Sequence, residues 1–531
     1  MSLPSMLKQI LRVGLLLSLH LLYGQTDYIA GQLIDAETLD PIPFASIRIK
    51  NKAIGLISNI DGGFRIPISF KSVGDTLEIS SLGYKTKEAF LSKFSINQIN
   101  TIFLYENIEN LKEVVVTATQ KPKRLNAKEI VALAIKKIDQ NYPSKAFSYL
   151  GYYRDYQLRE HNYLNLNEAV LAIFDPGFGL QDLKNTQIRI YEYLENQDFP
   201  RDSMAAQTYD YANRKKVIPK ATISGRIGNE FVRLRLHDAI RNNKIYTYSF
   251  IDRLETDLIK NHKLKLTADA YFDEIALYTI KITKSLDNIK VIGKIYINQT
   301  TLGIHKLEYA VYEKEPPKHR KDPFWNVGIE TMDDGTLGKL LYNIKVEYRS
   351  HKDKLYLNYI SFNNAFDILL PPKFAPIAAK IDSDRKRFEL VLNNQPSVKE
   401  GLKTKNYQLY YQENKVTIEN IEIKKNSVFL YPKRPEVVFN PEIIQYLKTK
   451  TNKGVAIEIK DVRDIDGNMV NESDAIHYQQ FREFFTQQLL LDQKPPSDDL
   501  YMLKTIPINK NQPLGPFSDS SDYWMNTPLK K

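Results

Sequence analysis

From Tyr28 the chain alternates, with Ile29, Gly31 and Leu33 on one side and Ala30, Gln32 and Ile34 on the other. That is the period of a strand. Asp40-Pro41-Ile42-Pro43 breaks it, since each proline fixes φ and lacks a ladder donor. Ala45, Ile47 and Ile49 then share one face of a half-buried second strand. Ser58 to Phe64 (SNIDGGF) is a turn of residues that tolerate the left-handed region. With strands at Thr76–Ser80 and Thr101–Tyr105, residues 28–105 hold roughly seven short strands, the pattern of an immunoglobulin-like sandwich.

Period-two segments return at Tyr149–Leu158 and Tyr163–Phe174, and from Leu264 they run as a meander to Phe362. In the meander Ile295 and Ile297 share a face and Tyr296 takes the other; on the next strand Ile304 and Lys306 oppose His305, Leu307 and Tyr309. The apolar face needs a cover. That cover is either a helix, or a ligand held in an apolar groove lined by Ile295 and Ile297. Two helices are predicted. One spans 127–141, opened by the capping-box pair Asn126 and Glu129, striped by Ile130, Val131, Ala134, Ile135 and Ile138, and stopped before Pro143. The other spans 473–489, where Ile476, Phe481, Phe484, Phe485 and Leu489 recur at helical spacing. Residues 180–260 give no clear pattern. The expected class is mainly β: a β-sandwich plus an antiparallel β-meander or half-barrel, with a few peripheral helices.

At 531 residues the chain is too long for one ordinary core. Thirty-three tyrosines against two tryptophans suit pleated, half-buried surfaces. The net charge of +11 is spread among mixed signs, so no nucleic-acid footprint stands out. Residues 1–24 read as a signal peptide: Lys8 and Arg12 precede an apolar run too short to span a bilayer, and Gly24 is the small residue before cleavage. A membrane-anchoring N-terminal helix is the alternative. Zero cysteines rule out disulfides, a lipidated cysteine, thiol nucleophiles and cysteine metal sites. No later segment approaches the ~18 apolar residues of a spanning helix.

Chemistry is sparse. No histidine falls in HExxH or another close ligand spacing, no serine in GxSxG, and there is neither a P-loop nor a dinucleotide fingerprint. Asp461, Asp464 and Asp466 before Gly467 could wrap Ca²⁺, but the glycine and glutamate are out of EF-hand register, so a polar hairpin turn is expected. No catalytic residue, cofactor or metal is expected. An envelope hydrolase acting on peptides or glycans is the alternative, and it would need a convergent acid/base pair in a pocket.

Gly31-x-Leu33-x-Asp35, Asp40 to Ala45, Ser58-Asn59-x-Asp61-Gly62-x-Phe64 and Gly83-Tyr84, in that order, resemble the carboxypeptidase-regulatory-like (transthyretin-like) β-sandwich domain. The resemblance implies a non-catalytic domain of a Gram-negative cell-envelope protein. Leu111 to Ala118, within the 106–126 strand or linker, resembles a TonB-box segment, which implies a partner strand at Val114, Val115 and Val116; a final strand or linker of this protein is the other reading. Gly151 to Arg154 and Leu166 to Leu171 resemble the second domain of uncharacterised envelope proteins, and the meander resembles the half-barrel of periplasmic lipoprotein carriers. Together these imply an exported protein of the periplasm or the periplasmic face of the outer membrane. It would bind a protein partner or a lipid-like ligand without catalysis, with residues 127–531 as one β-rich domain and no transmembrane helix after signal cleavage.

Overall fold

The structure is a computed structural model. It describes residues 28–107 (without 53 and 73), 125–207 (without 161), 216–217, 228–314 (without 246–250, 252, 268 and 273–274), 329–331, 337–440 (without 412–413), 455–516 and 523–529. The expected signal peptide and the expected partner strand at Val114–Val116 lie outside the described residues. The fold is mainly β, in several largely antiparallel sheets. Its contacts divide into two compact units: residues 1–206, 219–365 and 478–531, and residues 207–218 with 366–477.

The first unit opens with the sandwich. Strands β1 (Tyr28–Asp35), β2 (Ser46–Ile49), β3 (Gly55–Ile57), β4 (Gly63–Pro67), β5 (Thr76–Ser80), β6 (Lys87–Phe90) and β7 (Asn100–Leu104) form two sheets, ordered β4-β1-β7 and β3-β2-β5-β6. Every second residue of β1 is buried, and Ile29 and Leu33 join Ile47, Phe64, Ile66, Leu77 and Ile79 in one core. The turn before β4 depends on Gly62, which sits at φ 72°, where a Cβ would lie 2.4 Å from the Leu33 carbonyl oxygen. Tyr84 donates to the Asp35 carboxylate at 2.7 Å, so two separate sequence motifs meet in one contact.

The helix α1 (Ala127–Lys136) follows, and its capping box forms: the Asn126 side chain accepts from the Glu129 N–H at 3.0 Å, and the Glu129 carboxylate accepts from the Asn126 N–H at 2.8 Å. The large sheet uses β8 (Phe147–Arg159), β9 (Asn162–Asp175), β10 (Gln187–Glu195), β12 (Lys263–Leu266), β14 (Ile275–Ser285), β15 (Ile289–Asn298), β16 (Ile304–Lys314), β18 (Leu337–His351), β19 (Lys354–Leu369) and β27 (Ala475–Leu489). Its order is β10-β9-β8-β27-β19-β18-β16-β15-β14-β12, with β13 (Ala270–Phe272) and β17 (Ile329–Thr331) pairing on β14 and β18. One face of this sheet shares a core with α1, with α2 (Glu230–Leu236) and with Leu254 and Leu258.

Two expectations need correction. Residues 473–489 are not a helix: Ala475–Leu489 is β27, antiparallel to β8 and central in the sheet. Both of its faces are buried, so Phe484 enters one core while Phe481 and Phe485 enter two others, and the period-two signal disappears. In β16, Ile304 and Leu307 lie in the same core rather than on opposite faces, because the register shifts where Tyr296 pairs Lys306 and Ile297 pairs Ile304. His305 is the extra residue of that bulge.

The second unit contains β11 (Lys216–Val217), β20 (Pro376–Asp382), β21 (Arg387–Leu392), β22 (Tyr407–Tyr411), β23 (Asn414–Val416), β24 (Ile418–Lys424), β25 (Ser427–Pro432) and β26 (Val455–Ile459). Sheets β20-β21-β25-β24 and β23-β22-β26 close over Phe374, Phe388, Leu390, Leu409, Val428 and Leu430. The Asp464 carboxylate accepts from the backbone N–H of Asp466 and Asn468 and from the side-chain amides of Asn394 and Asn468, which makes this stretch the polar turn expected of it.

Candidate functional site

Ile295 and Ile297 are fully buried, at 0% exposure. They lie in the core that also holds Ile130, Val131, Ala134 and Ile138. Where α1 runs out, the Asn141 amide donates to the Thr301 carbonyl at 3.1 Å and the Tyr142 hydroxyl donates to the Ile304 carbonyl at 2.6 Å. The chain's own helical segment therefore covers this face.

The Tyr142 ring meets Tyr348 edge-on at 4.9 Å, and Tyr348 borders a cluster of buried charges. Arg235 of α2 donates to Asp182 at 3.0 and 2.6 Å, to Asp175 at 3.1 Å and to the Tyr149 hydroxyl. Arg241 grips Asp175 at 3.1 and 3.0 Å and the carbonyls of Gly177 and Leu180. Burial alone would raise the Asp182 carboxyl, but Arg235 holds it below the ordinary range. Asp238 is the surplus acid. Burial pushes it up to about 6, against the backbone N–H groups of Ile240 and Arg241 and the Tyr348 hydroxyl at 2.6 Å. The cavity that these groups line with Phe147, Leu357 and Ile360 is small, about the room of one water. Asp238 could hold a proton near neutral pH, but its neighbouring carboxylates are already committed to arginines.

A second buried network joins the sandwich to the large sheet. Arg154 of β8 pairs with Glu483 of β27 and donates to Asn59 of the sandwich, while the Tyr359 hydroxyl donates to Glu483 at 2.9 Å. Phe44 stacks on Tyr359 at 5.7 Å, and Arg48 donates to Asn358 at 2.6 Å. The sandwich's outward residues differ in character: Phe103 and Tyr105 are 40% and 59% exposed, beside Ile34, which pairs with Phe103.

The histidines are dispersed. His237 bonds the Arg233 carbonyl and stacks on Phe362, burial pushing it down to about 4; His262 meets Tyr309, and His477 meets Asp367. Among the described residues no group of three or more His, Asp or Glu could hold a metal ion. Sequence reasoning missed Asp175, Asp182, Arg235, Asp238 and Arg241. The one available signal was charged residues set among apolar ones, Phe231 to Ile240, in a stretch without clear periodicity.

Residues 29–116 match the family model of the CarboxypepD_reg-like domain. The domain expected from the sequence motifs is thus present at the N-terminal end of the chain, and the match takes in Val114–Val116. No curated protein matches the sequence. Three solved structures align with part of the chain. A LolA superfamily protein from Nitrosomonas europaea is 11% identical, over 45% of this chain and 86% of that one, with a TM-score of 0.19. A DUF1329 family protein from Desulfovibrio piger is 11% identical over 45% and 87%, with a TM-score of 0.20. A Vibrio parahaemolyticus domain described as an outer membrane lipoprotein-sorting protein is 9% identical over 45% and 86%, with a TM-score of 0.19. At TM-scores of this size none of the three bears on the reading of this chain. Among the described residues no helix is long and apolar enough to cross a membrane.

Proposed function

We propose that the protein is an exported, non-enzymatic cell-envelope protein that binds a protein partner through its N-terminal sandwich. The observation that supports this is a contrast in exposure. The apolar residues of the meander are enclosed by the chain's own helix, whereas Phe103 of β7 and Tyr105 just after it stand open to solvent. Exposed aromatics of this kind anchor interfaces. The signal-like residues 1–24 support export, to the periplasm or the periplasmic face of the outer membrane. The candidate partner strand Val114–Val116 follows Tyr105 closely in sequence, within the same family match, and capture by β-addition would suit it.

The test is site-specific photocrosslinking of the full chain in its own envelope, with the probe at Tyr105 and, as control, at exposed Leu194. A discrete adduct at Tyr105 only, lost on Val115→Pro, is expected. Identical patterns at both sites would defeat the proposal. A fluorescent fatty-acid displacement titration covers the other reading: saturable displacement by the intact protein would replace the partner with an apolar ligand at Ile295 and Ile297.

A further inference from the structure

The segment Tyr523–Leu529 belongs to no strand, yet it is held along the seam between the sandwich and the large sheet. Toward the sandwich, the Trp524 indole N–H donates to the Arg65 carbonyl at 2.8 Å and its ring packs 5.4 Å from Phe70. The Asn526 side chain accepts from the Arg65 N–H at 2.9 Å and donates to the Ile57 carbonyl at 2.7 Å. Toward the sheet, Gln487 donates to the Trp524 carbonyl at 3.0 Å and Arg154 to the Asn526 carbonyl at 3.3 Å. The Thr527 hydroxyl donates to Glu168 at 2.9 Å, and Met525 packs with Leu150, Tyr152 and Val170. This is side-chain-specific reading of an extended peptide, not a sheet ladder.

The walls are fixed without it. Arg154 is held by Glu483 and Asn59, and Glu168 by Tyr152 and by Asn196 at 2.8 Å. Such support preorganises a site. The fit is also incomplete. Asn59 and Gln487 are buried and both touch the segment, yet among the described residues Asn59 Nδ2 and Gln487 Oε1 have no hydrogen-bond partner. Buried polar atoms left over in a wall mark bonds that a better-matched ligand would make.

We infer that this seam is a peptide-binding groove, occupied in cis by Tyr523–Leu529. Its ligand class is an extended peptide presenting an aromatic, an amide and a hydroxyl side chain in the order Trp-x-Asn-Thr. A foreign peptide that also offers an acceptor to Asn59 and a donor to Gln487 would displace the chain's own segment. The inference stands apart from the partner face at Phe103 and Tyr105, which is a different surface of the sandwich.

The test places a specific protease site within residues 517–522 of the full chain and adds a fluorescein-labelled Tyr523–Leu529 peptide before and after cutting. Covalent attachment gives the cis segment a high effective concentration, so uncut protein takes up no label. Cut protein is expected to take it up saturably, with an Asn526→Ala peptide at least about tenfold weaker. Retention of the original segment against excess peptide, equal binding of the Ala peptide, or precipitation on cutting would each make the segment part of the fold and overturn the inference. In the uncut chain, Asn526→Ala should shift the emission of Trp524, one of only two tryptophans, to longer wavelength with the far-ultraviolet circular dichroism unchanged. Unshifted emission, or a lost fold, would also overturn it.

Discussion

Asp238 shows how a single buried group sets a pH dependence. Its carboxyl titrates near 6 in the folded chain, against an ordinary value of 3.8, with burial as the main cause. The folded state therefore binds the proton more tightly than the unfolded state. Above pH 6 both states are ionised and the fold bears the full penalty, roughly 3 kcal/mol. The penalty shrinks as the pH falls through 6 and is gone once the unfolded carboxyl is protonated as well. Asp238→Asn keeps the oxygen that accepts from the Ile240 and Arg241 N–H groups and turns its NH2 to donate to the Tyr348 hydroxyl oxygen, so it should stabilise the protein by roughly 2–3 kcal/mol at pH 8 and by nothing at about pH 3.5. Urea titrations at the two pH values check this; an equal effect at both would mean that Asp238 acts by packing, not charge. Ile297 belongs to the same scale. Since it is core and not groove, Ile297→Ala should cost about 2–5 kcal/mol of stability and leave crosslinking at Tyr105 unchanged.

At the scale of elements, β27 carries most of the lesson. Its charged side chains do not mark a solvent face. Arg482 and Glu483 are both buried, on opposite faces, one paired with Glu230 and the other with Arg154. A strand buried on both faces, with charges neutralised by distant residues, carries no alternation, and Phe481, Phe484 and Phe485 then mimic a helix stripe. The same reasoning explains why β1 and α1 were legible. Each buries one face, so the period survives, and the Asn126–Glu129 cap is local in sequence. The Asp175–Arg235–Arg241 cluster was not legible, because its partners are 60 and 66 residues apart and meet only in the folded chain. For β27 the expected outcome is asymmetric. Glu483→Leu leaves the Arg154 charge buried and should cost about 3–5 kcal/mol, whereas the double change with Arg154→Met should recover most of it. A double-mutant cycle of denaturation midpoints checks this, and simple additivity would count against the buried pair.

For the whole molecule, the question is how far the sandwich is a part in its own right. Its family match and motif order argue for independence, and its two sheets enclose Ile29, Leu33, Phe64, Leu77 and Ile79 without outside help. Yet the same core cluster extends to Tyr359, Phe485 and Trp524, which come from the large sheet and the 523–529 segment. Phe44 and Phe70 are the sandwich's aromatic contacts with Tyr359 and Trp524. A fragment of residues 28–105 should therefore fold, because the enclosed core is its own. It should nevertheless melt below the same domain in the intact chain and bind a hydrophobic dye, because the face that meets the sheet becomes an exposed apolar patch. A dispersed amide spectrum with dye binding that Phe44→Ser reduces is the expected result. A collapsed spectrum would mean that the sheet is needed to complete the sandwich, and the partner-binding reading would then have to be tested only in the full chain.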